Sequence, residues 1–192
     1  MRYADGQKDP LIKLIRELQI QEGRISNSLF FAEGDELSRR AFEYGGSVRT
    51  LLLTEKFAST SISEELVNIA VNRGTECVVC TSGLLGKILD AKPVPECLAV
   101  VDRLVINLAD ALNNKNFVLM IEACENSDNL GMLLRCADAA GVDSVILAGD
   151  CVEPFNRKTV RGSRGAVFTV PICIESDTAS IIAQAHTYGL KV

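Results

Sequence analysis

Apolar and polar residues alternate along the chain in blocks that predict strands and helices in turn. Short apolar runs such as "SLFFAEG", "VRTLLLTE", "TECVVCTS" and "ECLAVVDR" have the length of buried strands. Between them, "KDPLIKLIRELQIQEGR", "DELSRRAFEYGG", "SEELVNIAVNRG" and "LLGKILDAK" are typical of helices, the first with Asp9 as N-cap and Pro10 in its first turn. This alternation predicts a layered α/β domain over residues 1–103.

A second α/β segment follows a break in the pattern. The polar cluster "NNKN" interrupts the alternation, so residues 104–115 are predicted to be a linker and residues 116–192 a second domain. There the predicted strands "FVLMIEA", "SVILAG" and "AVFTVPI" alternate with the predicted helices "NLGMLLRCADAAG", "NRKTVRGSRG" and "TASIIAQAHTYG". Gly189 then fits a helix C-cap, and Lys191-Val192 fit the start of a further strand.

Composition narrows the class of protein without identifying it. The chain has 192 residues, 47% of them hydrophobic, and a net charge of −5, so contact with a polyanion must be local. The start "MRYADGQKDP" lacks the core of a signal peptide, and no apolar run approaches the roughly 20 residues of a membrane span. We therefore expect a cytoplasmic protein that does not bind a membrane.

Metal or thiol chemistry is not expected from the cysteines and the single histidine, His186. The seven cysteines lie in apolar stretches and are typical of reduced core thiols. Cys77 and Cys80 form a C-x-x-C pair in a predicted strand, where residues three apart point to opposite faces. We therefore predict no metal site.

The helix over Asn129–Ala140 carries the first candidate site. Its spacing predicts an apolar face toward the sheet and a second, mostly apolar face around Arg135, which a second subunit could cover. A solvated Arg135 on a short helix is the alternative. Asn129 could bind a ligand at the carboxyl edge of the sheet or only cap the helix. The residues predicted to face the sheet are Leu130, Leu133, Leu134 and Ala137.

The basic segment "NRKTVRGSRG" is the second candidate site. It concentrates four cations in eight residues of an acidic chain, and its glycines and Ser163 add exposed backbone donors. A phosphate-binding patch and an ordinary solvated surface turn both fit this pattern. The four cations are Arg157, Lys158, Arg161 and Arg164.

Taken together, these motifs resemble the SpoU branch, also called the TrmH family, of the SPOUT RNA methyltransferases. The match runs through "FVLMIEACENSDNLGMLLRCADAAGVDSVILAG" and "EPFNRKTVRGSRGAVFTVPI", with N-x-G-x-x-x-R in the first stretch and R-x-S-x-G-A in the second. Upstream, "DPLIKLIRELQ" and "FFAEG" resemble the small RNA-substrate-binding domain that often precedes the SpoU catalytic domain.

The resemblance implies a homodimeric enzyme that moves a methyl group from S-adenosylmethionine to a ribose 2′-hydroxyl of rRNA or tRNA. Asn129 and Arg135 match the first catalytic motif, in which the arginine is thought to activate the ribose hydroxyl. Arg161, Ser163 and Gly165 match the next motif, near the RNA entrance. The implied RNA-binding residues are therefore Arg157, Lys158, Arg161, Ser163 and Arg164, and the implied dimer contact is the Asn129–Ala140 helix.

Two later motifs of the family do not occur in this sequence: a Gly-Asn-Glu segment and a Pro-rich loop with Ser-Leu-Asn. They form the family's knot and most of its cofactor pocket, so that pocket is expected beyond Val192. The prediction is an incomplete SPOUT-type domain, open and unknotted, that binds S-adenosylmethionine weakly or not at all and tends to self-associate. An RNA-binding module without catalysis is the alternative function, and a small-molecule α/β enzyme is a third.

Overall fold

The computed structural model describes residues 1–192, which divide into two compact units. The first unit comprises Met1–Arg103 together with Phe155–Arg157, and the second comprises Leu104–Pro154 and Lys158–Val192. Residues 104–115, predicted to be a linker, lie inside the second unit. Both units alternate strands with helices, which confirms the predicted α/β class.

The first unit is built on a five-stranded mixed sheet. Its strands follow the order β1-β4-β3-β5-β2, in which β1, β4 and β3 are parallel and β5 runs antiparallel to both of its neighbours. The elements are β1 (Arg2–Tyr3), α1 (Pro10–Glu17), α2 (Gln21–Asn27), β2 (Leu29–Glu33), α3 (Asp35–Glu43), β3 (Val48–Thr54), α4 (Glu55–Ala58), α5 (Ser61–Asn72), β4 (Glu76–Cys80), α6 (Ser82–Leu89) and β5 (Cys97–Asp102), with a short 3₁₀ helix at Gly6–Lys8.

Helices cover both faces of this sheet because its central strands are apolar on both sides. In β3, Leu52 packs with α1 and α6, whereas Leu51 and Leu53 pack with α3, α4 and α5. Successive strand residues point to opposite faces, so one short apolar run contributes to two cores. The first unit therefore has three layers, with α1 and α6 together on one of them.

Asp9 anchors the start of α1, as predicted. Its carboxylate accepts a hydrogen bond from the backbone N–H of Leu11 at 2.9 Å and pairs with Arg2 at 2.7 Å. Burial opposes the charge of Asp9, but the bonds from Arg2 and from the N–H groups of Asp5 and Leu11 outweigh it, so the pKa of this carboxyl lies below its usual range.

The single helix predicted between Asp9 and Gly23 is replaced in the structure by two helices, α1 and α2. Arg24 is buried, and its Nη1 donates to the carbonyl oxygens of Leu18 and Gln19 at 2.9 and 3.0 Å. Gly23 lies so close to α1 that a Cβ there would be 2.0 Å from the carbonyl oxygen of Glu17. The chain bends because Arg24 satisfies the carbonyls at the end of α1 and Gly23 permits the approach.

The second unit has three parallel strands in the order β6-β7-β8, and the outer edge of β6 has no strand partner. Beyond β8, Ile106 forms an isolated parallel bridge with Cys173. The elements are α7 (Leu108–Leu112), β6 (Val118–Glu122), α8 (Ser127–Ala139), β7 (Ser144–Ala148), α9 (Arg157–Gly162), β8 (Ile172–Glu175) and α10 (Thr178–Thr187), with a 3₁₀ helix at Ala166–Phe168.

Two predicted strands of this unit differ in the structure. The run "AVFTVPI" begins with a 3₁₀ helix, because the N–H groups of Phe168 and Val170 bond the carbonyls of Gly165 and Ala166 and so are not available to a sheet. The strand therefore begins only at Ile172. Lys191 and Val192 are not part of a strand.

The segment predicted to be a linker forms α7 and contributes to the core of the second unit. Leu108, Ala111 and Leu112 are buried against Ile146 of β7 and against α10. None of the ten α-helices is long and apolar enough to cross a membrane.

All seven cysteines are free thiols, and four of them are buried. Burial raises the pKa of Cys80 to about 11 and that of Cys97 to about 12. No group of three or more His, Cys, Asp and Glu side chains is arranged to bind a metal ion.

Candidate functional site

Asn129 lies in the first turn of α8, and its side chain forms no hydrogen bond within the chain. Asn126 caps the helix, because its Oδ1 accepts hydrogen bonds from the N–H groups of Asp128 and Asn129 at 2.9 and 3.0 Å. Asn129 is exposed, and its amide has no partner in the chain. Since α8 follows β6, this free amide lies beyond the carboxyl end of a parallel strand, where α/β sheets usually bind ligands.

The buried face of α8 differs from the predicted one at one position. Leu130, Leu134 and Ala137 are buried as predicted, but Leu133 is 38% exposed and Gly131 is buried in its stead. The outward face therefore presents two large apolar side chains, Leu133 and Met132, the latter 56% exposed.

Gly131 is buried because α8 and α9 touch backbone to backbone. A Cβ on Gly131 would lie 2.8 Å from the carbonyl oxygen of Thr159 and 2.9 Å from the Cα of Gly162. Thr159 also donates its hydroxyl hydrogen to the carbonyl oxygen of Ser127 at 3.0 Å. The two helices are therefore closely packed at this point, which places the α9 residue Arg161 beside the first turns of α8.

Arg135 lies on the same flank of α8 as this contact. Gly131, Arg135 and Asp138 follow one another at helical spacings of four and three residues, which share one side of a helix. At one end of the flank Gly131 contacts α9, and at the other Asp138 accepts a hydrogen bond of 2.7 Å from the Thr169 hydroxyl. Arg135 therefore lies between two contacts to residues 159–169.

Arg135 and Arg161 are exposed, and neither forms an ion pair or hydrogen bond through its side chain. Arg135 and Arg161 are thus unpaired cations near the contact between α8 and α9, and Asn129 presents a free amide at the first turn of α8. Such groups suit a ligand that combines negative charge with hydroxyl groups. A phosphate would bind the guanidinium forks, and a sugar hydroxyl would bind the Asn129 amide.

The other residues of the basic segment occupy different environments. Arg157 lies within the first unit, where its guanidinium pairs with Glu33, donates to the carbonyl oxygen of Leu89 at 2.8 Å and lies over the Phe31 ring. Ser163 is buried, and its hydroxyl donates to the carbonyl oxygen of Val160 at 2.8 Å. Both side chains are bonded to partners within the chain, and their predicted role in RNA binding stays a prediction.

Lys158 and Arg164 are exposed at the surface. Arg164 has a positive φ of 52°, in the turn that leads from α9 to the 3₁₀ helix. Their assignment to RNA also stays a prediction.

Comparison with known proteins finds a family model that matches the C-terminal part of the chain. Residues 116–192, which contain β6, α8, α9 and the flank described above, match the model of the SpoU rRNA Methylase family. The resemblance expected from the motifs around Asn129 and Arg135 is therefore confirmed for this segment.

Two relatives that resemble this chain are named as 23S rRNA methyltransferases. The whole chain is 27% identical to the 23S rRNA (guanosine(2553)-2'-O)-methyltransferase RlmP of Bacillus subtilis and spans 72% of that protein's length. It is also 29% identical, over 68% of its own length and 45% of the relative's, to the 23S rRNA (uridine(2479)-2'-O)-methyltransferase of Streptomyces viridochromogenes.

Solved structures share the fold over nearly the whole chain. An AdoMet-bound rRNA methyltransferase from Sinorhizobium meliloti superposes with a TM-score of 0.82 at 24% identity, over 97% of this chain and 69% of that one. The SpoU methyltransferase AviRb from Streptomyces viridochromogenes superposes with a TM-score of 0.76 at 23% identity, over 92% and 65%.

Proposed function

We propose that this chain carries the RNA-facing residues of a methyltransferase that acts on the 2′-hydroxyl of a ribose in rRNA. The observation that supports it is the set of exposed, unpaired side chains Asn129, Arg135 and Arg161 on a segment that matches the SpoU family. Both relatives described above are named for 2′-O-methylation of 23S rRNA, which favours rRNA over tRNA as the substrate.

The side chains of Asn129, Arg135 and Arg161 suit this chemistry. A ribose hydroxyl is a poor nucleophile, and negative charge develops on its oxygen as the proton leaves. The guanidinium of Arg135 would stabilise that charge from a fixed position, since arginine stays protonated and does not act as the base. Asn129 would hydrogen-bond the ribose, and Arg161 would bind a neighbouring phosphate through its planar fork.

S-adenosylmethionine supplies an electrophilic methyl group when it is bound to such an enzyme. A cavity of about 780 Å³ in the second unit is lined by Phe117, Val118 and Ile181 and by two cations, Lys115 and Lys191, with no acidic residue. It lies at the amino end of β6, whereas Asn129 follows the carboxyl end. This cavity does not suit a cationic sulfonium, and we assign no residue of the chain to the cofactor.

Methyl transfer to rRNA tests the proposal directly. Two proteins are incubated with unmodified 23S rRNA and S-adenosylmethionine carrying an isotopic label in its methyl group: residues 1–192 alone, and the same residues followed by the C-terminal part of the Bacillus subtilis relative. We expect 2′-O-methylribose, identified by nucleoside mass spectrometry, from the extended protein. An extended protein that binds S-adenosylmethionine and RNA but leaves every ribose unmethylated would contradict the proposal and favour a non-catalytic RNA-binding module.

We further propose that two copies associate through the outward face of α8. Met132 and Leu133 are 56% and 38% exposed there, and a paired copy would cover them beside Arg135. A Met132→Glu substitution should weaken self-association at least about tenfold, because a carboxylate would be buried in the contact. Sedimentation equilibrium measures the change, and Ile62→Glu is the control, since Ile62 is 59% exposed on a helix of the first unit. Equal association of the wild type and Met132→Glu would contradict this contact.

A further inference from the structure

Tyr3 is an exposed aromatic side chain on a firmly held strand. β1 pairs with β4 in parallel, and the N–H of Ala4 extends this pairing to the carbonyl oxygen of Val79 at 2.9 Å. The neighbouring Arg2 is fixed by ion pairs of 2.7 Å to Asp9 and to Glu76. Tyr3 is nevertheless 71% exposed, so its ring adds little to the core and is accessible to a molecule outside the chain.

A cavity of about 460 Å³ lies beside this ring. Tyr3, Gln7, Glu55, Thr81 and Lys87 contribute to its wall. Tyr3 is the last residue of β1, and the others come after the carboxyl ends of the parallel strands β1, β3 and β4, the side of an α/β sheet at which ligands usually bind. The volume falls within the range of small-ligand pockets, roughly 300–1,000 Å³, and can accept one nucleobase with its sugar.

The surface around the cavity carries several cations that have no partner. On the opposite layer of the first unit, Arg39 pairs with Asp35 and Glu65, and Arg40 pairs with Glu36, although Lys56 is exposed and unpaired there too. On α1, on α6 and on the 3₁₀ helix before α1, four exposed cations form no ion pair and no side-chain hydrogen bond. They are Lys8, Lys13, Arg16 and Lys87.

We propose that this face of the first unit binds an unpaired segment of RNA, with one base stacked on Tyr3 at the mouth of the cavity. Lys87 and Lys8 bind the phosphates on either side, and Lys13 and Arg16 extend the cationic track along α1. Glu55 accepts a hydrogen bond from an exocyclic amino group of the stacked base. The proposal rests on the proposed action on RNA and specifies which part of the RNA the first unit recognises.

Unpaired RNA fits this surface better than a duplex does. Bases can reach an aromatic ring only where they are unstacked, as in loops and bulges, whereas a duplex offers phosphates and 2′-hydroxyls alone. A surface of cations alone would bind both forms. The exposed ring and the cavity therefore predict a preference for single strands.

Fluorescence anisotropy with labelled RNA tests the site in the complete 192-residue chain. The probes are a single-stranded RNA of about 10 nucleotides of mixed sequence and a duplex of the same length. Tyr3→Leu should weaken binding of the single strand about tenfold and leave the duplex nearly unchanged. Lys87→Gln should weaken both and reduce the dependence of log Kd on log salt concentration by about one.

Two control variants separate this site from general effects. Tyr44→Leu removes a tyrosine that is 41% exposed after α3, and Arg49→Gln removes a cation that is paired with Asp102 near the amino end of β3. Both should bind RNA like the wild type, and circular dichroism confirms that each variant is folded. Wild-type affinity for the single strand in both Tyr3→Leu and Lys87→Gln would overturn this site alone. A wild-type chain without any affinity for RNA would overturn both this site and the proposed function.

Discussion

Replacing Gly131 by alanine is expected to destabilise the second unit by about 1–3 kcal/mol, although alanine is the better helix former. The added Cβ would lie 2.8 Å from the Thr159 carbonyl oxygen and 2.9 Å from the Gly162 Cα. Both are backbone atoms, so relief requires α8 and α9 to move apart. Urea unfolding measures the loss, and hydrogen exchange should increase in α8 and α9 before it increases elsewhere.

Gly83 provides the matched control for this substitution. It also lies in a helix, α6, but a Cβ there would meet no atom within 4 Å. Gly83→Ala should therefore stabilise the protein by about 0.4–1 kcal/mol through the lower entropy of the unfolded chain. If Gly131→Ala proved as stable as the wild type, the close packing of α8 and α9 would not constrain the position of Arg161.

Removing the guanidinium of Arg135 is expected to lower kcat/KM for rRNA methylation about 10²–10³-fold in the extended protein. Arg135 is exposed and unpaired, so its loss costs little stability and the change reports on the reaction. Arg135→Lys should recover part of the rate, because it keeps the charge but not the planar fork. Initial rates with unmodified 23S rRNA provide the measurement.

Arg49→Ala is the control for Arg135→Ala. Arg49 is 65% exposed and paired with Asp102 in the first unit, so its loss should leave the rate unchanged. A rate for Arg135→Ala within about twofold of the wild type would exclude any electrostatic role of Arg135 in the transition state.

The alternation of strands and helices could be predicted because buried strands must be apolar and their connecting helices carry recognisable ends. The predicted ends of helices and strands differ from the structure where a tertiary contact determines the end of the element. The break between α1 and α2 depends on buried Arg24 and on the approach of Gly23 to Glu17, neither of which leaves a periodic signal. Likewise, a 3₁₀ helix follows Gly165 where the apolar pattern of the sequence predicts a strand.

Only part of the candidate site can be predicted from the sequence. Residue spacing and the family motif indicate Asn129 and Arg135 as candidates, but nothing in the pattern shows that Asn126 rather than Asn129 caps α8. Arg157 belongs to the basic segment of the sequence, but its guanidinium forms an ion pair with Glu33, which lies 124 positions earlier. Tyr3 could not have been found, because β1 has two residues and its pairing with β4 is visible only in the folded chain.

The sheet order of the first unit has a consequence for its synthesis. β5 lies between β3 and β2 and is the only strand that pairs with β2, although about 64 residues separate the end of β2 from the start of β5. Until Asp102 has emerged from the ribosome, β2 has no partner and β3 lacks one of its two neighbours. The nascent chain must therefore keep Phe30 and Phe31 from aggregating while roughly 70 further residues are translated, which makes this interval the stage at which a chaperone would have the greatest effect.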